Sequence, residues 1–356
     1  MSLARRIVIT GLFTCIICVI GVLILSRCSV ETALTIDARA DSLSFEQLQD
    51  FSWFGDSIKT SWLILEGTKI TFVTSSVQIK KDGNLRFQSP DKIKHFEVNP
   101  SSNNESGYLA RIYKTKPDSS GIPAENIELN AIDVSKSSKV FLRMKRNPVT
   151  IEIGIESGNM KGRINTETFH LVVREGEITS RDKTISCSGN FEITGKLTPA
   201  FAELKFETKS NGRVILVKPQ PNEKGIFFNG GHRKEAINNI DVEISSKINS
   251  HPTRDSYIRY FPINGYAREK KHKISPGKRI SVESKRDFDI NVLNLALPGI
   301  DFISETQSKE ILVDNHPISP SLLENAPPEW LYIGAIIVFF IDKVLLGVIL
   351  RKVQEK

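Results

Sequence analysis

The chain has 356 residues, a formal net charge of +7 and 40% hydrophobic against 25% charged residues, a composition that excludes a disordered or fibrous protein. The two ends carry +3 (Arg5, Arg6, Arg27) and +1 (Lys343, Arg351, Lys352 and Lys356 against Glu329, Asp342 and Glu355), which leaves +3 for the centre, too little for a nucleic-acid-binding domain. Its four cysteines exclude a disulfide framework: Cys15 and Cys18 lie in an apolar run, and only a Cys28–Cys187 bridge is left open.

Residues 1–6 read as a cytoplasmic N-terminus and residues 7–26, IVITGLFTCIICVIGVLILS, as a transmembrane helix without an ionisable group. The run is longer than the core of a cleavable signal peptide, and Arg27 makes a poor cleavage site before Cys28. Residues 330–350, WLYIGAIIVFFIDKVLLGVIL, read as a second transmembrane helix. Asp342 and Lys343 each oppose insertion by roughly 2.5–3.5 kcal/mol, and the apolar residues around them recover a similar sum. Trp330 and Tyr332 at one end, and Arg351 and Lys352 at the other, suit the two interfaces. Arg5 and Arg6 before the first segment, and the basic tail 351–356 after the second, place both termini in the cytoplasm by the positive-inside rule. The intervening region is then periplasmic or extracellular, on a cell membrane such as a bacterial inner membrane.

Two regions follow between the anchors: 28–135, β-rich with a short helix and loops, and a β domain at 136–326. Residues 29–43 read as a polar lead-out. Ser44 with Gln47 fits a capping box, and Phe45, Leu48 and Phe51 share a helical face, which predicts a short helix over 44–51. Period-two patterns then predict strands at 62–66, 69–74, 77–80 and 85–87, the last two joined at Asp82–Gly83–Asn84. Residues 98–108 and 116–125 read as polar loops. Further strands are predicted at 140–145, 149–156, 169–174, 184–188, 190–197, 202–208, 213–218, 241–245, 257–261, 279–284, 288–295 and 310–313. Asn211–Gly212 predicts a hairpin between 202–208 and 213–218. Helical periodicity is scarce, so the fold class is mainly β: an antiparallel sandwich or jelly roll, with a solenoid as a further option.

Chemistry is sparse. The six histidines (His95, His170, His232, His251, His272, His316) form no metal-ligand pair of the H-E-x-x-H kind, and no nucleophile elbow, P-loop or dinucleotide fingerprint is present. Ser275–Pro276–Gly277–Lys278 reads as a turn, and the Gly-rich stretch at His232 as another. No catalytic, cofactor-binding or metal-binding residue is assigned.

Two features remain. Asp342, an ionisable residue inside a membrane segment, would contact a polar group on a partner helix or a second copy; Lys343 points about 100° away from it. A basic stretch contains Arg268, Lys270, Lys271, Lys273, Lys278, Arg279, Lys285 and Arg286. Its partners would be an anionic lipid, an anionic glycan or an acidic protein, and its other reading is a solvated strand edge. The expected function is that of a non-enzymatic scaffold, sensor or subunit of a membrane complex. The arrangement is also similar, in outline, to envelope lipid-transport components. Lipid or glycan binding, through an apolar groove between sheets or the basic patch, is the alternative function, and an envelope hydrolase a further one.

Overall fold

Apolar and polar residues alternate along most of the chain, and a strand puts such alternation on opposite faces. In the computed structural model the described residues are 11, 16, 20–24, 31–48, 50–53, 57–89, 94–99, 109–180, 183–198, 203–220, 226–227, 242–244, 247–263, 268–284, 288–296, 299–319, 329, 332, 339, 343 and 347. The strands among them begin with β1 (Thr32–Glu46), β2 (Phe51–Trp53), β3 (Ile58–Lys81), β4 (Asn84–Ser89), β5 (Lys94–Asn99), β6 (Leu109–Tyr113), β7 (Ile127–Val134) and β8 (Lys139–Arg146). Next come β9 (Val149–Ser157), β10 (Met160–Asn165), β11 (Thr168–Ser180), β12 (Lys183–Leu197), β13 (Glu203–Gln220), β14 (Ile226–Phe227) and β15 (Val242–Ile244). The series ends with β16 (Lys247–Pro252), β17 (Ser256–Pro262), β18 (Lys270–Ile274), β19 (Ile280–Ser284), β20 (Phe288–Ala296), β21 (Gly299–Val313) and β22 (His316–Pro317).

These strands belong to one sheet, and the pairings given among them are antiparallel. The expectation of a mainly β, antiparallel fold therefore holds. The pairings close on themselves twice. In the first ring, β3 carries β12 and β13 along one edge and β4, β5, β6 and β7 along the other. β11 pairs with β5 and β6, and β10 with β7; both then meet β12 and β13, which completes the circle. In the second ring, β1 carries β16 and β17 on one edge and β21 on the other. β19 joins β16 to β21 and closes it, β18 extends the ring beside β17, and β20 lies against β21. The hairpin β8–β9 links the two: β8 pairs with β1, and β9 with β13.

Closing these pairings into a ring requires the strands to bend, and β3 shows how the sequence arranges this. Its buried positions are Ile58, Thr60, Leu63, Leu65, Thr68, Ile70, Phe72, Thr74, Val77 and Ile79. The step is two residues except at 60–63, 65–68 and 74–77, where it is three. Each irregular step bends the strand while keeping the same face inward, as bulges do. A buried threonine sits at each one. Thr60 Oγ1 donates to Trp62 O (3.2 Å) and Val217 O (2.7 Å), Thr68 Oγ1 to Glu66 O (2.9 Å), and Thr74 Oγ1 to Ser76 O (2.7 Å) and Lys196 O (2.6 Å). These bonds satisfy carbonyls that the irregular ladder strands, and leaving one unpaired would cost about 1–3 kcal/mol. Ser308 repeats the device in the second ring, donating to Glu283 O and Glu310 O.

Aromatic rings pack inside the first ring. Phe72 stacks on Phe96 (centroids 5.4 Å) and tilts against Phe169 (4.8 Å), while Phe87 meets Phe96 edge-on (6.0 Å). Leu34, Ile36, Leu43, Ile258, Ile280, Val282, Ile300 and Phe302 fill the second.

Three sequence expectations are corrected here. The residues expected as a polar lead-out over 29–43 contain most of β1, whose inner face alternates Leu34, Ile36, Ala38 and Ala40. The described residues of 44–51 form no helix: β1 continues to Glu46, with Leu43 and Phe45 buried on the strand period. Gln47 then extends the pairing, its N–H donating to Ser138 O at 2.8 Å and its carbonyl accepting from Ser137 N–H at 2.7 Å. Tertiary pairing overrides the local capping pattern there. Asn211–Gly212 is no hairpin, because residues 203–208 and 213–220 run in one direction along the same edge of β3. Asn211 takes φ 64°, and the extra residues bulge out opposite Gly67, at φ 62°. The Asp82–Gly83 turn is confirmed, with φ 49° and 79°.

Candidate functional site

The basic stretch folds as β18, a turn at 275–279 and β19. Arg268, Lys270, Lys271, Lys273, Lys278 and Arg279 are exposed; Lys285 and Arg286 lie outside the described residues. The structure divides the group in two. At one end Lys273 pairs with Asp255 (2.7 Å), a hydrogen bond that raises the lysine pKa above its ordinary value. Lys278 reaches Asp314 (3.7 Å), and Arg279 donates its backbone N–H to the same carboxylate (2.8 Å) and its guanidinium to Asn249 (3.3 Å). Local acids therefore offset much of that end.

The other end gains residues from a neighbouring strand. β17 opposes β18 with Arg259 against Lys271 and Tyr257 against Lys273. Inside, Ile258 and Tyr260 are buried; on the outer face lie Tyr257, Arg259 and Phe261. Lys271 Nζ sits 4.0 Å from the centroid of the Tyr257 ring, and Phe261 is 50% exposed. Tyr257 and Phe261 thus share the outer face with Arg259 and Lys271, while Lys270 lies opposite the buried Tyr260 and Glu305 stands across Thr35 from Arg259. Tyr257, Arg259 and Phe261 were missing from the sequence-derived patch. The signal was their period-two spacing within a strand that the sequence does predict.

Of the terminal segments, the described residues 11, 16, 20–24, 329, 332, 339, 343 and 347 are helical. Ile16, Ile20, Val22, Leu23, Ile24, Tyr332 and Phe339 present 45–70% of their surface. No helix among the described residues is long and apolar enough to cross a membrane. Lys343 Nζ lies 5.5 Å from the Phe339 ring centroid, one helical turn away. Asp342 lies outside the described residues, as do Cys28 and the stretch around His232.

Two clefts of about 510 Å³ each open on the outer surface of the first ring. One is bordered by Asp82, Arg111, Arg174, Asn190 and Glu192, the other by Lys59, Lys114, Glu125, Glu128 and Glu167. Both are polar and open. Among the described residues no cluster of three His, Cys, Asp or Glu side chains could hold a metal ion.

Next to the first cleft lies a buried histidine. His170 of β11 is 3% exposed, though it faces outward. It neighbours Tyr113 (centroids 6.0 Å) and is flanked by Thr194 across the ladder; Glu192 of β12 and Lys116 also act on it electrostatically. Segment 114–126 is held to the sheet here: Lys116 bridges to Glu192 (3.3 Å), and Thr168 Oγ1 donates to Lys114 O (3.2 Å). His170 Nδ1 has no hydrogen-bond partner among the described residues. Burial lowers its pKa, Lys116 lowers it further, and Glu192 opposes both. The neutral imidazole is therefore the form that the fold accepts. Stability should be intact above about pH 6.5, the ordinary histidine pKa, and decline as pH falls below it, because the unfolded chain takes up the proton more readily. A His170→Phe variant should show a flatter loss in thermal melts between neutral and mildly acidic pH. An unchanged pH dependence would remove His170 as the cause.

No protein-family model, curated protein or solved structure matches this chain.

Proposed function

We propose that this chain is a non-enzymatic membrane protein, anchored by its two apolar terminal segments and holding its β region on the extracytoplasmic side as a scaffold or subunit of a membrane complex. The observation that carries this reading is the exposure of apolar side chains on helical residues in both segments, Ile16, Ile20, Val22, Leu23 and Ile24 in one and Phe339 in the other. Apolar surface of that kind is normally covered by lipid or by a partner. The charge pattern at the two ends supports cytoplasmic termini. The aromatic packing inside the first ring favours a structural body over a hollow carrier. Asp342 and Lys343 are the intramembrane residues through which a partner helix or a second copy would be recognised.

The test is chemical crosslinking of the full chain in its native membrane, repeated with Asp342→Leu. A captured membrane protein or homo-oligomer that the substitution abolishes supports the reading. A chain that stays monomeric in both forms ends it, and substrate turnover by the purified full chain ends the non-enzymatic part.

A further inference from the structure

We propose that segment 114–126 is a strap that lifts off the outer face of the first ring at mildly acidic pH, with His170 beneath it as the trigger, and that its lifting joins the two clefts into one groove floored by Tyr113 and His170. The inference concerns the β region itself and is independent of how the chain is anchored.

Three observations converge. The first is cover. Ala110 and Ile112 of β6, and Phe169, Leu171 and Val173 of β11, are buried on the inner face. Tyr113 and His170 lie on the opposite face, directly across the ladder from each other, yet they are only 6% and 3% exposed. Outer-face residues are buried only where chain lies over them, and 114–126 is the stretch tied down at that place. Lys114, Glu125 and Asn126 of the strap border one cleft, and its Lys116 reaches Glu192 in the wall of the other, so the strap lies between the two.

The second is how lightly the strap is held. Its middle is bonded to itself. Asp118 N–H donates to Ile122 O (3.2 Å), Gly121 N–H to Asp118 O (3.0 Å), and Asp118 Oδ1 accepts from the N–H groups of Ser120 (2.8 Å) and Ile122 (3.2 Å). Lys114 and Glu125 pair at its base (2.7 Å). Towards the sheet, the described bonds are the solvent-washed Lys116–Glu192 pair (3.3 Å) and Thr168 Oγ1 to Lys114 O (3.2 Å). Lifting therefore breaks few bonds and leaves the turn intact. Thr115 Oγ1 and His170 Nδ1 are buried without a hydrogen-bond partner among the described residues, and both gain water when the strap lifts.

The third is charge. The charged groups on the elements around His170 are Arg111 of β6, Arg174 of β11, Glu192 and Lys196 of β12, and Lys114, Lys116, Asp118 and Glu125 of the strap. Cations outnumber acids, and Glu192 is engaged by Lys116. With the strap down, a proton on His170 adds a buried positive charge to that set; with the strap up, the imidazolium is hydrated. Burial and Lys116 lower the imidazole pKa against the pull of Glu192. The neutral ring thus goes with the closed strap and the protonated ring with the open one. Closure holds above about pH 6.5, and opening grows as pH falls below it.

The full chain in detergent would be followed by amide hydrogen exchange and by hydroxyl-radical oxidation of Tyr113, at pH 7.5 and pH 5.0. After correction for the intrinsic chemical rate, exchange across 113–126 should rise about tenfold or more. Its ceiling is about thirtyfold, set by the roughly 1.5 pH units between pH 5.0 and the ordinary histidine pKa, and β3 and β12 should change far less. Tyr113 oxidation should rise with it, and His170→Phe should remove both rises. Lys116→Gln, at a side chain that stands in solvent, should speed strap exchange already at pH 7.5. No rise in the unmodified chain, or a rise that His170→Phe leaves unchanged, overturns the trigger. A rise shared equally by β3 and β12 is general loosening and overturns the strap. Strap exchange that rises while Tyr113 stays protected overturns the joined groove. Lys116→Gln exchanging like the unmodified chain at pH 7.5 overturns the ion pair as the clamp. The unmodified chain and Lys116→Gln remain decisive should His170→Phe not fold.

Discussion

Gly162→Val should lower the melting temperature of the full chain by roughly 4–5 °C, the equivalent of about 3 kcal/mol in a protein of this size. Gly162 of β10 lies directly opposite Phe206 of β13, and the Phe206 ring lies over the glycine. A Cβ added at residue 162 would fall 1.9 Å from Phe206 Cζ. Phe206 is 2% exposed and packed on its other sides, so the ring has nowhere to move. The glycine is thus the space that lets a large side chain fit inside a narrow ring, a cross-strand aromatic–glycine pair. The pattern recurs at Gly195 opposite Phe169 and at Gly154 opposite Phe141. At Gly154 the covering ring is only half-buried on the outer face, so Gly154→Val should cost less. Thermal melts of the three valine variants, together with Gly162→Val in a Phe206→Leu background, check the argument. The double variant should recover part of the loss. A Gly162→Val protein that melts with the unmodified chain would show that the ring is not confined.

Arg213→Met should destabilise the fold by about 3 kcal/mol, and Glu152→Met by about half of that, although the two residues form one ion pair. The asymmetry comes from where each charge lives. Glu152 is 3% exposed on β9, and its carboxylate takes a 2.7 Å hydrogen bond from Arg213; its other cation, Arg143, stands at 3.9 Å. Removing Arg213 leaves a buried carboxylate with one distant partner. The Arg213 side chain is 40% exposed and also bonded to Glu66, so it keeps a partner and water when Glu152 is removed. The value for Arg213→Met is set at the low end of the range for broken buried pairs because half of the pair reaches solvent. Chemical denaturation of both single variants and the double would show most of the Arg213→Met loss restored in the double. Equal losses for the two single variants would refute the burial argument.

The sequence made the strand character legible wherever one strand face meets solvent and the other the core. Val140–Lys145, Tyr257–Phe261 and Arg279–Ser284 are examples. It failed where the ring geometry breaks the period. Between Ile58 and Lys81 three irregular steps split one strand into apparent fragments, and the threonines that repair each step look like ordinary surface residues until Val217 and Lys196 are brought beside them. Closure was illegible for a similar reason: nothing local in Thr32–Ala40 announces that its partners lie at 300–308 and 257–262. The basic stretch was visible as a run of like charges. Its division into an acid-paired end and an end joined to Arg259, Tyr257 and Phe261 required the register of two strands.

The ring that contains β1 also sets an order of events during synthesis. Every strand of the first ring, β3–β7 and β10–β13, has been made once residue 220 is reached. β1 is the earliest strand to emerge, yet Arg39 finds Asp301 only 262 residues later. At bacterial or eukaryotic elongation rates that interval is on the order of 13–50 s. Until its partners at 139–143, 249–252, 257–262 and 300–308 emerge in turn, β1 carries unpaired hydrogen-bonding edges and one apolar face, the kind of segment that nascent chains pair wrongly. Asp37, Arg39 and Asp41 interrupt that segment on its outer face, and charges so placed discourage stacking with another copy. They would serve the newborn chain before any of them meets its final neighbour.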